Sequence, residues 1–183
     1  MRRRKQYYTF RLVYCSIIAA ISAGLMLVAS VIPFGKYAAP VISGLLLISI
    51  VIEYGWEWAM AAYSVVGVLA LLLSSNKEPA LYFVVLFGYY PAIKALLEQK
   101  IKSRGKRTVV KLLIFNAAAI LGYFAATRLL MIPEDALAIR GFFNPWVFLL
   151  AGNVLFLLYD MAIVVYVRLY VRQFRDRVFR YFR

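Results

Sequence analysis

The sequence contains no histidine and a single cysteine, Cys15, which lies inside an apolar segment. A disulfide within one chain needs two cysteines, and the usual His- or Cys-based metal sites need histidine or several cysteines. The acid–base and nucleophilic pairs of most enzymes also contain histidine. We therefore expect no internal disulfide, no metal site, no cofactor and no enzymatic activity, although a mechanism that uses lysine with aspartate, or tyrosine, stays open.

Acidic residues are also scarce. The 183 residues include 8 Asp and Glu against 22 Lys and Arg, so the formal net charge is +14. Only 16% of the residues are charged and 64% are hydrophobic, whereas about a quarter of the residues in a soluble domain are charged. The basic residues stand in blocks that flank apolar runs, not along one folded face as in nucleic-acid-binding modules. This pattern is typical of a membrane protein and argues against a nucleic-acid partner.

Apolar runs bounded by charge, glycine or proline predict an all-α integral membrane protein, a bundle of six transmembrane helices in one domain that covers residues 1–183. The spans are expected near residues 10–33, 38–54, 57–74, 79–98, 109–131 and 144–168, followed by a basic cytoplasmic tail, 169–183. The second and third runs are separated only by Glu53-Tyr54-Gly55-Trp56-Glu57. Because one helix through both runs would be far too long for a bilayer, we expect a tight turn there.

The first apolar run follows Arg2-Arg3-Arg4-Lys5. A basic segment before an apolar run also opens secretory signals, but this run is too long for the apolar core of a signal. We interpret it as an uncleaved first span.

The distribution of Lys and Arg predicts the orientation of the spans. Three basic blocks precede the first span, separate the fourth from the fifth and follow the sixth, whereas the opposite loops hold only Lys36, Lys77 and Arg140, with Arg128 close by. Six spans place all three blocks on one side, so we expect both termini in the cytoplasm. The chain has no eukaryotic sorting signal, which favours a multi-pass protein of a bacterial inner (plasma) membrane. The basic tail is expected to lie along the lipid bilayer, where arginine meets anionic lipid, or to dock on a partner.

Four polar residues fall inside the predicted spans, namely Lys94, Asn116, Asn153 and Asp160. A polar group in hydrocarbon needs a partner or a water-lined cavity. The distance from the span ends places Lys94, Asn116 and Asp160 in one cytoplasmic-side layer, with Asn153 on the same helix face as Asp160 and roughly 10 Å further out. Two interpretations stay open: a proton, ion or substrate relay, or a structural ion pair of Lys94 and Asp160 that is capped by Asn116. We favour the structural pair, because no second carboxylate is expected near it within the membrane.

The fourth span contains the segment Gly88-Tyr89-Tyr90-Pro91. Pro91 has no N–H group, so it leaves the Phe87 carbonyl without its helical partner, and we expect a kink. Broken helices border binding sites in transporters, yet most membrane prolines simply bend a helix. Both interpretations of this segment stay open.

The first span carries small residues four apart, Ala19 with Ala23 and Ser16 with Ala20 and Gly24. Small residues at this spacing let another helix approach closely, and contact within the same bundle is the simpler explanation. The outer loops carry polar residues that are either candidate ligand contacts or ordinary solvated residues: Lys36, Asn76, Glu78, Glu134, Asp135 and Arg140.

Six spans in a short chain, both ends inside, and the Ala19 and Ala23 pair resemble the substrate-binding S components of energy-coupling factor transporters. The resemblance covers the whole chain in topology and rests, in sequence, on this one motif. It implies that Ala19 and Ala23 contact a transmembrane coupling subunit that works with ATPases, and that the outer loops hold a vitamin or a related micronutrient. The chain has no Gly-rich nucleotide loop of its own, so the energy would come from those partners.

Two functions are therefore expected. The first is a small-molecule-binding membrane subunit of a multi-component transporter. The alternative is a non-catalytic membrane scaffold or assembly factor, in which Lys94 and Asp160 hold the bundle together.

Overall fold

The computed structural model describes residues 2–32, 35–129 and 145–174. They form helices α1 (Arg2–Val31), α2 (Gly35–Tyr54), α3 (Trp56–Leu73), α4 (Lys77–Tyr82), α5 (Tyr90–Lys100), α6 (Arg104–Phe124) and α7 (Pro145–Leu169). Three π-helical segments follow α4, α6 and α7: Phe83–Phe87, Ala125–Leu129 and Tyr170–Phe174. Within the described ranges all regular structure is helical, as the sequence predicts.

Six helices in the described part of the chain are long and apolar enough to cross a membrane. They are Tyr8–Val31, Gly35–Tyr54, Trp56–Leu73, Lys77–Lys100, Arg104–Arg128 and Leu149–Gln173. The fourth of these joins α4, the first π-helical segment and α5. This result confirms the prediction of an all-α chain with six potential membrane spans.

The connection between α2 and α3 is a single residue, Gly55. Its φ angle is 92°, which lies in the left-handed region that glycine adopts without steric cost. Gly55 therefore ends α2 and lets α3 begin at once with Trp56. The turn stands in the middle of the charged and aromatic interruption that the sequence shows between its second and third apolar runs.

Contacts between distant residues define two ends of the bundle. At the first end, Tyr14 of α1 forms a hydrogen bond with Tyr170, 3.0 Å between hydroxyl oxygens, and packs edge-on against Tyr54 at the end of α2. We call this the basic end, because it also contains the loop between α5 and α6, which is rich in Lys and Arg. At the opposite end, Lys36 near the start of α2 forms a 3.2 Å ion pair with Glu78 of α4.

Two large apolar clusters lie between the helices, and a small third one joins Leu81 of α4 to Ala126, just beyond α6. The larger draws on α1, α2, α3 and the fourth span, and the second joins α2, α5, α6 and α7. The outward faces of α6 and α7 expose many large apolar side chains. Since lipid tails are as apolar as these side chains, the hydrophobic effect adds little to helix association in a membrane, and close packing and polar contacts hold such helices together. The polar contacts of this bundle therefore carry particular weight.

Candidate functional site

Asp160 lies at the centre of a group of charged side chains between α5, α6 and α7. Its Oδ1 atom accepts hydrogen bonds from the Tyr90 hydroxyl and from Lys94 Nζ, the latter at 2.7 Å. Lys94 Nζ also donates to the Asp160 backbone carbonyl at 2.8 Å. Lys111 Nζ lies 3.1 Å from Oδ1 and 3.4 Å from Oδ2 of Asp160, and 3.3 Å from Glu98 Oε1. We call these five residues the ionic cluster.

Helical spacing brings the cluster together. Tyr90, Lys94 and Glu98 stand four residues apart, so they line one face of α5 over two turns. Lys111 belongs to the buried face of α6, together with Phe115. Since α5 and α6 are joined by a short loop, their facing surfaces meet near this loop, and Asp160 of α7 lies where these two helices converge.

The ionic cluster is balanced in charge and mostly buried. It contains two ammonium groups and two carboxylates, so its formal charges sum to zero. The side chains of Lys94 and Lys111 are 6% and 7% exposed, whereas those of Asp160 and Glu98 are 25% and 42% exposed. Burying a charge without a partner costs several kcal/mol, which is comparable with the whole free energy of unfolding of a domain. Here each buried ammonium has a carboxylate within ion-pair distance.

Asn116 and Asn153 form a second polar group, separate from the ionic cluster. Asn116 Nδ2 donates to Asn153 Oδ1, and Asn153 Nδ2 donates to Asn116 Oδ1, both at 3.0 Å. Each Nδ2 also donates to a carbonyl one turn earlier in its own helix, Leu112 O or Leu149 O, at 2.8 Å. The amides of α6 and α7 therefore satisfy each other. Asn116 therefore pairs with Asn153 and does not cap the pair of Lys94 and Asp160. The single polar cluster expected from the sequence is two separate groups.

Aromatic rings fill the space between the two polar groups. Phe115 of α6 stacks on Phe156 of α7, with ring centroids 4.6 Å apart and an interplanar angle of 23°. Tyr90 meets Phe156 edge-on at 4.8 Å. Phe115 precedes Asn116 by one residue, and Phe156 lies between Asn153 and Asp160 along α7. These rings therefore separate the asparagine pair from the ionic cluster.

The fourth span is broken in two ways, and each break frees a backbone carbonyl. At the π-helical segment the Gly88 N–H donates to Phe83 O at 2.7 Å, so Val84 O loses the N–H that an α-helix would give it. Three residues on, Pro91 has no N–H to offer Phe87 O. The kink that the sequence predicts at this proline thus follows a π-helical turn that the sequence does not reveal.

Tyrosines of neighbouring helices satisfy the two freed carbonyls. The Tyr63 hydroxyl of α3 donates to Val84 O at 2.9 Å. The Tyr159 hydroxyl of α7 donates to Phe87 O at 3.0 Å. Both of these freed carbonyls are therefore satisfied within the bundle.

The tyrosine contacts depend on a glycine. A Cβ atom at Gly44 of α2 would lie 2.3 Å from the Tyr159 hydroxyl oxygen and 2.7 Å from Phe87 O. Both distances are far below van der Waals contact, so only glycine allows α2 to approach here. Gly88 is similarly enclosed, because a Cβ there would lie 2.7 Å from ring atoms of Phe83 and of Tyr63.

The small residues of α1 lie on two different faces. Ala19 and Ala23 are each 8% exposed, and Ala19 belongs to the larger apolar cluster of the bundle. These two alanines pack against helices of their own chain, which is the simpler of the two explanations of their spacing, and they offer little surface to a coupling subunit. Ser16 and Ala20 instead face outward, and a Cβ at Gly24 would meet nothing within 4 Å.

At the opposite end, three of the proposed ligand residues serve the fold. Lys36 pairs with Glu78. Asn76 caps α4, because its side-chain oxygen accepts a hydrogen bond from the Glu78 N–H at 2.9 Å. Lys36 and Asn76 also line a cavity of about 220 Å³ together with residues 29–32. The other candidates in the outer loops, Glu134, Asp135 and Arg140, lie outside the described residues.

The sequence does not predict that two further residues, Lys111 and Glu98, belong to the ionic cluster. In the sequence, Lys111 belongs to the basic block that precedes the fifth span. Glu98 lies at the predicted end of the fourth span. A signal for each exists. Glu98 continues the four-residue spacing of Tyr90 and Lys94, and Lys111 lies four residues before Phe115 on an apolar face. Within the described residues no group of three Cys, Asp or Glu side chains is placed to hold a metal ion.

Comparison of the chain with protein-family models, with curated proteins and with solved structures gives no match. The fold itself defines the class. In the ranges that the structure describes the chain is all-helical, and the six long apolar helices found there are consistent with a multi-pass membrane protein.

Proposed function

We propose that the chain is a non-catalytic scaffold subunit of a bacterial inner membrane, with both termini in the cytoplasm. One observation carries this proposal: the polar groups singled out inside the spans are engaged with other groups of the same chain. Lys94 and Lys111 hold Asp160, Asn116 holds Asn153, and tyrosine hydroxyls hold the freed carbonyls. The orientation rests on the distribution of Lys and Arg.

A relay centred on Asp160 is disfavoured by the same contacts. A group that passes a proton or an ion along a path exchanges partners during transport. Oδ1 of Asp160 already accepts from Tyr90, Lys94 and Lys111, and the Asp160 carbonyl accepts from Lys94 as well. These contacts hold three helices at one point, which is a structural role. We propose that the bundle, held together in this way, positions partner membrane proteins.

A second function, the transporter subunit, would place its ligand in the cavity at the opposite end. The S-component resemblance places a micronutrient near the outer face, where Lys36 and Asn76 line about 220 Å³ of space. Pockets for drug-sized ligands occupy roughly 300–1,000 Å³, so a vitamin would need more room than this cavity offers. The small-molecule-binding transporter subunit is therefore the second candidate.

Gentle purification from the native membrane separates the two functions. The tagged full-length chain is isolated, and mass spectrometry identifies the proteins and small molecules that accompany it. The scaffold predicts a membrane-protein partner at a stoichiometric ratio and no stoichiometric small molecule other than a phospholipid. The transporter subunit predicts a coupling subunit with ATPases, or one small molecule per chain.

A matched pair of variants makes the second outcome specific. Lys36→Gln removes a cation from the cavity, and Lys102→Gln removes one from the basic end. A bound small molecule that is lost with Lys36→Gln and kept with Lys102→Gln would establish the transporter subunit and overturn the scaffold.

A further inference from the structure

A group of cations next to the ionic cluster takes no part in it. The group spans the end of α5, the loop and the first turn of α6, and we call it the basic loop: Lys100, Lys102, Arg104, Lys106 and Arg107. Arg107 is partly buried and the other four are exposed. In the ranges that the structure describes, none of the five forms an ion pair.

The nearest acidic residue does not neutralise the basic loop. Glu98 is the last carboxylate before the loop, and it pairs with Lys111. The first turn of α6 contains no acidic residue. Within the described residues these five positive charges, which stand within eight residues of each other, therefore have no counter-charge, and such a concentration of like charge favours a bound anion.

An apolar strip continues from the basic loop along α6. Lys106, Val109 and Leu113 are spaced three and four residues apart, so they share one face of the helix. Val109 is 57% exposed and Leu113 is 64% exposed, and Ile120 continues this face at 49%. The face thus presents cations at the basic end and then a long apolar surface, which is the order of headgroup and acyl chain in a phospholipid.

We propose that the basic loop and the adjoining face of α6 bind an anionic phospholipid. The phosphate lies among the cations of the loop, and an acyl chain lies along Val109 and Leu113. Basic pockets at the ends of transmembrane helices recognise anionic headgroups in this way. A free phosphate ion would use the cations alone and would gain nothing from the apolar strip.

Lipid titration of the full chain in neutral detergent, followed by native mass spectrometry, tests this proposal. The probes are phosphatidylglycerol and, as a neutral reference, phosphatidylcholine. Each surface cation contributes about 1 kcal/mol to anionic-lipid attraction, which corresponds to about fivefold in affinity. Lys102→Gln with Lys106→Gln is therefore expected to weaken phosphatidylglycerol binding about 25-fold and to leave phosphatidylcholine binding unchanged.

The matched control removes two exposed cations that lie outside both the basic loop and the tail, Arg128→Gln with Arg168→Gln. This pair is expected to keep most of the wild-type affinity for phosphatidylglycerol. Leu113→Gln, which alters only the apolar strip, is expected to weaken phosphatidylglycerol binding as well. The proposal is overturned if both double variants lose affinity equally, since the attraction would then be general. It is also overturned if inorganic phosphate displaces the lipid at equal concentration, or if Leu113→Gln has no effect.

Discussion

The Tyr159 hydroxyl on α7 donates to the Phe87 carbonyl at 3.0 Å. This carbonyl is the one that Pro91 leaves without a helical partner. A proline in a membrane helix is tolerated when a neighbouring helix satisfies the freed group. The break in the fourth span is therefore joined to α7 by a specific contact, and the kink is part of the way the bundle is held together.

Tyr159→Phe is expected to lower the free energy of unfolding by about 1–2 kcal/mol, because it leaves a buried carbonyl unsatisfied. In a Pro91→Ala background the same change should cost much less, since the N–H of residue 91 restores the helical hydrogen bond to Phe87. Reversible unfolding in mixed detergent, monitored by circular dichroism, measures all four corners of this cycle.

Tyr63→Phe provides the control for that cycle. Tyr63 satisfies Val84 O, which the π-helical turn frees and Pro91 does not. Its cost should be the same in the wild-type and Pro91→Ala backgrounds. An equal cost of Tyr159→Phe in both backgrounds would show that the proline does not create the need for this hydroxyl.

The close approach of α2 to Tyr159 and Phe87 predicts that a larger residue at Gly44 destabilises the bundle. Gly44→Ala places a Cβ against the Tyr159 hydroxyl and Phe87 O, so it should destabilise the bundle by about 1–3 kcal/mol. Gly24→Ala adds the same methyl where nothing lies within 4 Å and should be neutral or slightly stabilising. Melting temperatures in detergent compare the two. Equal melting temperatures would mean that α2 can shift away from α7 at little cost.

The buried and outward faces of α1 predict different effects of the same substitution at Ala19 and at Ala20. Ala19→Leu forces a large side chain into a packed interface and is expected to cost about 1–3 kcal/mol. Ala20→Leu adds the same volume on the outward face and should leave the melting temperature unchanged. Should Ala19→Leu fold normally and instead lose a copurifying coupling subunit, Ala19 would be a partner contact, as the S-component resemblance implies.

The sequence predicts the helices better than it predicts their contacts. Length and apolar composition fix six potential spans, because the bilayer sets the length of an apolar run. The freed carbonyl of Phe87 also follows from Pro91 alone, since it needs only the rule that proline lacks an N–H. Its partner, Tyr159, lies 72 residues away and does not follow from any local pattern.

The candidate site shows the same limit. The distance of each residue from the end of its span predicts that Lys94, Asn116 and Asp160 lie in one layer. This distance does not give the rotation of each helix about its axis. In the structure that rotation turns Asn116 toward Asn153 and turns Lys111 toward Asp160. The π-helical turn at Phe83–Phe87 also shifts the faces of the fourth span, and the sequence carries no signal for it.

The most direct test of the structural role of the ionic cluster is the melting temperature of two variants in detergent. Asp160→Asn leaves two buried ammonium groups with one partly exposed partner, Glu98, and is expected to cost about 3–5 kcal/mol. A fourfold variant, Tyr90→Phe, Lys94→Met, Lys111→Met and Asp160→Leu, removes the buried charges together and should melt close to the wild type. A wild-type melting temperature for Asp160→Asn would contradict the account, because the carboxylate would then not be needed to hold the helices.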